Sequence, residues 1–288
     1  MPNFDDLSLN SRSTPQPVKP ARPGSGFWPI IIVVILGLSV GVLYFVFRGK
    51  TPPAGVAQTA VDVPRPPARH AAEPGDAIDL PPLDQTDAIV RTLVGKLSSH
   101  PAVAAWLTTN GLIKNLTLVI ANIADGETPA KHLAPLRPSG SFATKTSRGL
   151  IWIDPASYHR YDGIAAATDG LDARGVAHFY ATIKPRIDDA YHDLAGSDPN
   201  FDKTLERAIV VLLRTPVVDD DVQLQSTSKV TYAFAKPEFQ DLSAAQRQFL
   251  RMGPQNVRLV KAKLREVAGF LGIPDSALPP PDGASRGR

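Results

Sequence analysis

VAHFYATIKPRIDDAYHDL, residues Val176 to Leu194, sets the fold class of this chain. Val176, Phe179, Tyr180, Ile183, Ile187, Ala190, Tyr191 and Leu194 recur every three or four positions, so they line one face of a long helix. Pro185 lies inside the stripe, where a kink is expected.

The same period repeats on both sides. Ile89, Val90, Leu93, Val94 and Leu97 predict a helix capped near Asp84 or Thr86. Pro101 opens a short helix to Leu107 after Ser99 or His100, and Leu112, Ile113, Leu116, Val119, Ile120 and Ile123 form another apolar face that stops at Gly126. Leu205, Ala208, Ile209, Leu212 and Leu213 follow a cap at Asn200 or Asp202. Val257, Val260, Leu264, Val267 and Leu271 make a seam after Pro254. Strand signals are few. Phe142 to Thr146 and Leu150 to Ile153, separated by Ser147, Arg148 and Gly149, read as a hairpin, and Val222 to Phe234 adds one or two strands. The expectation is a mainly α domain over residues 83–272 with a small β-hairpin element.

Before this domain lies PIIIVVILGLSVGVLYFVF, Pro29 to Phe47, nineteen residues without a charge. At about 1.5 Å per residue such a helix nearly spans a bilayer core of roughly 30 Å. Trp28 and Tyr44 lie near its ends, and Arg48 and Lys50 follow. A cleaved signal peptide fits less well, because twenty-six mostly polar residues precede the run and Arg48 and Lys50 come before the nearest small-residue site. Residues 27–48 are therefore expected to be a transmembrane helix contacting the lipid bilayer through 29–47. Arg12, Lys19 and Arg22 on one side balance Arg48, Lys50 and Arg65 on the other, so charge does not orient it. The position of the large domain after the anchor favours a cytoplasmic N-terminus and a periplasmic C-terminal domain.

Residues 1–26 read as a disordered tail, 273–288 as a second one, and 49–82 as a proline-rich linker. Eight of the thirty-two residues from Thr51 to Pro82 are proline. In polyproline II, at about 3.1 Å per residue, that stretch reaches on the order of 100 Å. From Asp84 onward 24 Lys and Arg face 22 Asp and Glu, so a general nucleic-acid partner is not expected. The chain has no cysteine, which excludes thiol nucleophiles and disulfides.

Three clusters, LPPLDQTD at 80–87, IDPASYHRYD at 153–162 and YAFAKPEFQDLSAAQRQFLRMGPQN at 232–256, resemble in order and spacing a bacterial family known as domain of unknown function 3014. The resemblance covers roughly residues 80 to 270. It implies a single membrane helix, a proline-rich linker, a C-terminal domain and a bacterial envelope location. It carries no catalytic residues.

Two polar groups are candidate sites. Asp154, Tyr158, Arg160 and Tyr161 concentrate aromatic and hydrogen-bonding groups that suit a sugar or peptide, against a plainer reading in which Asp154 caps a helix opening at Pro155. Arg258, Lys261 and Arg265, at i, i+3 and i+7, form a basic surface beside the seam for anionic head groups, wall polymer or an acidic partner, against a solvated face. No metal site is assigned: Asp188 and His192 have ligand spacing without a third group, and Asp219, Asp220 and Asp221 lack the pattern of a calcium loop. No cofactor is implied, since phosphate-loop, dinucleotide, nucleophile-elbow and zincin motifs are missing. The sequence thus points to a membrane-anchored envelope protein with a binding or scaffolding domain for an envelope protein or cell-wall polymer. The alternative is a membrane-anchored hydrolase acting on wall or lipid material, with Asp154, Tyr158 and Arg160 as its cluster.

Overall fold

The computed structural model describes residues 72–195, 200–227 and 231–282. The expected membrane run 29–47, the tail 1–26 and most of the linker lie outside the described residues. Among the described residues no single helix is long and apolar enough to cross a membrane.

The domain is mainly helical. α1 (Asp87–Leu97), α2 (Pro101–Leu107) and α3 (Leu112–Ala124) precede a hairpin of β1 (Thr144–Ser147) and β2 (Leu150–Ile153). α4 (Asp162–Asp169), α5 (Ala173–Ala195) and α6 (Phe201–Leu213) follow, then β3 (Gln223–Ser226), β4 (Tyr232–Phe234), α7 (Pro237–Gln240), α8 (Ala244–Leu250) and α9 (Pro254–Phe270). α3 packs against α5 and α6, and α9 packs against α4, α5 and α6. Their facing stripes bury Ile120, Ile123, Ile183, Ile187, Phe201, Ile209, Leu212, Val260 and Leu264 in one core. Phe201 is fully buried and meets Tyr191 edge-on at 5.2 Å between ring centroids, a geometry the ring quadrupoles favour. α5 continues through Pro185.

Helix ends explain several boundaries. His100 Nδ1 accepts from Ala102 N, and Asn200 Oδ1 accepts from Lys203 N, so both predicted caps satisfy an orphan donor. Thr86 precedes α1 but does not cap it with its side chain; its hydroxyl donates to Leu83 O. Asp87 instead serves another helix. Its two carboxylate oxygens accept from Gly111 N and Leu112 N, each at 2.8 Å, and so hold the start of α3.

The β element is larger than a hairpin. The four strands form one antiparallel sheet in the order β1-β2-β3-β4, with Ile151 opposite Leu224 and Leu224 opposite Phe234. Ser147 pairs with Leu150, leaving Arg148 and Gly149 as a two-residue turn with φ of 51° and 77°, as a type I′ turn requires. Beneath the sheet Ile153, Val222, Leu224, Phe234, Phe239 and Leu250 make a second, smaller core.

Both ends of the described chain fold onto the helices. Residues 72–82, the last part of the proline-rich stretch, lie along α5, with Leu80 buried. Residues 273–282 cover one side of α9, where Arg265 donates to Pro279 O and Pro280 O.

Candidate functional site

The segment after β2 supplies the first candidate cluster. Asp154 Oδ1 accepts from Ala156 N at 2.9 Å, and Pro155 occupies the first position of a 3-10 helix, Pro155–Tyr161. Asp154 is therefore a cap, because it satisfies an amide the turn would otherwise strand. The turn is tied down at its centre by Ser157, whose Oγ donates to Ala143 O and accepts from Ala143 N.

Tyr158 and Tyr161 do not share one exposed face. Tyr161 is buried, with its hydroxyl 3.5 Å from Arg160 Nη2 and from Gln248 Nε2. Burial raises its phenol above the ordinary value, opposed by the nearby guanidinium of Arg160. Tyr158 is half-buried, and burial together with the charge of Asp221 pushes its phenol up to about 12. Arg160 donates to Ser157 O and Gly140 O and lies over the rings of Phe142 and Tyr161 at 5.7 and 5.4 Å. Its charge is thus held by carbonyls and π-faces.

Sequence reasoning missed what lies opposite. The α8–α9 elbow turns at Gly253, with φ 84° and ψ 161°, and a Cβ there would stand 2.4 Å from Tyr158 Cγ. Asn256, buried on α9, donates through Nδ2 to Tyr158 O, Asp162 Oδ1 and Met252 O. Asp162 Oδ2 also meets His159 Nδ1 at 2.8 Å. Partial burial would raise the Asp162 carboxyl, but the hydrogen bonds from Asn256 and His159 outweigh it and leave it lowered. Arg251, just before the elbow, sits 4.9 Å from the Phe234 ring, and burial brings its guanidinium down to about 10. The clusters at 153–162 and 232–256 thus meet in space as the two halves of one joint. The sequence signal for the elbow is Gly253-Pro254, a pair that marks a turn, while nothing local singles out Asn256.

The basic surface is rearranged by the fold. Lys261, expected to be exposed, is only 3% exposed; its Nζ donates to Thr215 O at 2.9 Å and Asp282 Oδ1 at 2.6 Å. The reason is that residues 273–282 fold back over α9, which a helix-period argument does not reveal. Burial lowers the Lys261 ammonium, with Asp282 opposing. Arg258 pairs with Asp219 and Arg265 with the carbonyls of Pro279 and Pro280. The three cations therefore fasten α9 to its neighbours.

Among the described residues no group of three or more His, Asp or Glu is placed to hold a metal ion. Asp188 pairs with Lys184. Asp219 and Asp221 pair with Arg258 and Lys145. A cleft of about 290 Å³ lies elsewhere, lined by Ser98, Ser99, His100, Pro101, Ala166, Ala167 and Gly170. It lies between the α1–α2 connection and the end of α4, and none of the predicted site residues lines it.

The model of a family described as Protein of unknown function (DUF3014) matches residues 112–268, from the start of α3 into α9. No curated protein and no solved structure matches the chain.

Proposed function

The chain belongs to the family described as Protein of unknown function (DUF3014), and from that premise we propose that it is a single-pass inner-membrane protein that presents its helical domain in the periplasm. There the domain acts as a binding or scaffolding module for an envelope protein or cell-wall polymer. The observation that carries this reading is the uncharged run Pro29 to Phe47, followed by Arg48, Lys50 and a proline-rich stretch that leads into the domain. A hydrophobic run of that length anchors a chain, and a proline-rich segment holds the attached domain away from the surface. The polar cluster that motivates a hydrolase is occupied by structural work: Asp154 caps a turn, Arg160 lies over Phe142 and donates to Ser157 O, and Tyr161 is buried against Gln248. This removes the motivation for the hydrolase, and it leaves a binding role to be sought on other surfaces of the domain.

Two measurements test it. A reporter fused after Gly272, with one form active only in the periplasm and another only in the cytoplasm, is expected to report the periplasm; cytoplasmic activity reverses the orientation. Extraction of membranes with alkaline carbonate is expected to leave the chain in the pellet, and release to the supernatant removes the anchor. Crosslinking in whole cells should then recover a protein or polymer above a variant lacking 29–47, and recovery of neither counts against a binding role.

A further inference from the structure

One face of α5 carries a polar row beside the apolar stripe: Arg174, His178, Thr182 and Arg186, each four residues after the last. At that spacing the four side chains stand one above another. All four hold residues 73–81. Arg174 Nε lies 3.2 Å from Glu73 Oε1. His178 meets two acceptors, Pro74 O at 2.7 Å from Nδ1 and Asp76 Oδ2 at 3.2 Å from Nε2. Thr182 Oγ1 accepts from Asp76 N at 2.9 Å. Arg186 donates to Leu80 O and Pro81 O, each at 2.8 Å. At the upstream end Glu73 N donates to Phe270 O at the last residue of α9.

The segment is shaped for this row. A Cβ on Gly75 would stand 2.4 Å from Thr182 N and 2.5 Å from Ala181 C, both backbone atoms that cannot swing aside. Glycine is therefore what allows the close approach. Yet the docking is shallow. Of residues 72–80 only Leu80 is buried. None of residues 72–79 is itself buried, and the segment is held by a few hydrogen bonds and ion pairs at exposed or partly buried groups, which contribute little each. Leu80 and the Arg186 bonds form a pin that stays with the domain.

We propose that α5 is a peptide-binding surface whose occupant is the chain's own segment 72–79, and that this contact is a releasable latch on the tether. Docked, residues 72–79 are held along α5 and add nothing to the spacer. Released, the spacer gains eight residues, up to about 25 Å of reach in polyproline II. The latch thereby sets how far the domain stands from its attachment. The consequence for reach rests on the membrane-tether reading; the latch itself does not.

The test uses the full chain in vesicles of phosphatidylethanolamine and phosphatidylglycerol, with Gly75→Ala as the releasing variant. Hydrogen exchange of the Glu73 and Asp76 amides is expected to be protected in the wild type, less than the amides of α3 and α6. In Gly75→Ala both should exchange about tenfold faster or more while α3 and α6 are unchanged. Arg174→Ala with His178→Ala, which removes side chains exposed on α5, should act in the same direction. Wild-type exchange at 73 and 76 as slow as in α3, or loss of protection throughout the domain in Gly75→Ala, overturns the latch. Reach is read by energy transfer from a dye on a single introduced cysteine, Ser99→Cys, to labelled head groups. Release is expected to lower the transfer efficiency. Unchanged efficiency in a variant whose amides have opened overturns the proposal that the latch sets reach. Failure of the chain to float with the vesicles overturns the tether reading instead, while the exchange result still decides the latch.

Discussion

The helical core and the four-stranded sheet are stabilised by the same kind of burial but assembled over different distances along the chain. In the core, α3, α5, α6 and α9 each bring a continuous apolar stripe of their own. In the sheet, β2 ends at Ile153 and its partner β3 begins at Gln223, with α4, α5 and α6 in between. Each helix declares its buried face locally, whereas strands of three or four residues acquire one only when a distant partner arrives. The helical cluster is also by far the larger of the two, so most of the buried apolar surface lies there.

The largest expected effect breaks the core side of the comparison. Phe201→Ala empties a fully buried site against Tyr180 and Tyr191, and should cost about 3–5 kcal/mol. Urea unfolding followed by far-ultraviolet circular dichroism measures it; a loss below about 1 kcal/mol would mean that this aromatic group is not central.

Gly253→Ala comes next and tests the joint between the regions. The residue's φ and ψ belong to a region that only glycine adopts readily, and the new Cβ meets the root of the Tyr158 side chain. Strain and overlap together are expected to cost about 3 kcal/mol. Crystallography or exchange at Tyr158 and Asn256 should show the elbow displaced; an unchanged elbow at full stability would refute the close-contact account.

Leu224→Ala should cost about 2–3 kcal/mol. Its cluster is bordered by Phe142, Ile151 and Tyr158, which are only partly buried and can close on the gap. Faster hydrogen exchange confined to β1–β4 would show the sheet opening on its own. Equal acceleration in α3 and α6 would show that the two regions unfold as one.

The smallest effect is electrostatic. The Asp162 carboxyl is lowered in the folded state, so its contribution is present above the unfolded carboxylate value of about 3.9 and is lost as pH falls through the folded value. Stability measured from pH 5 downward should therefore decline less steeply in Asp162→Asn than in the wild type. Because the side chain is 55% exposed, solvent screens the contribution and the difference is small. Identical acid limbs would remove Asp162 from the joint's electrostatics.

The polar residues show where sequence reading stops. Asp154 announces its cap through the following proline, and the structure uses it so. Asn256 carries no such local mark, because its acceptors at Tyr158 and Asp162 lie more than ninety positions earlier. Lys261 reads as surface because helical period places it beside the seam, and becomes buried only when residues 273–282 fold over it. The proline-rich residues 72–82 read as spacer by composition, while the row of α5 side chains that holds them lies about a hundred positions later.

What the sequence determined by itself is the helices α1, α2, α3, α5, α6 and α9, the caps at His100, Asp154 and Asn200, and the hairpin, since these depend on neighbours a few residues away. It also carries the uncharged run that motivates the membrane anchor. Only the tertiary structure decided that the hairpin and the strands between residues 222 and 234 join in one sheet, that Gly253 and Asn256 lock onto Tyr158 and Asp162, and that both ends of the described chain dock on the helices. Each of those outcomes joins groups far apart along the chain. Closing such loops depends on the packed whole, which no local pattern encodes.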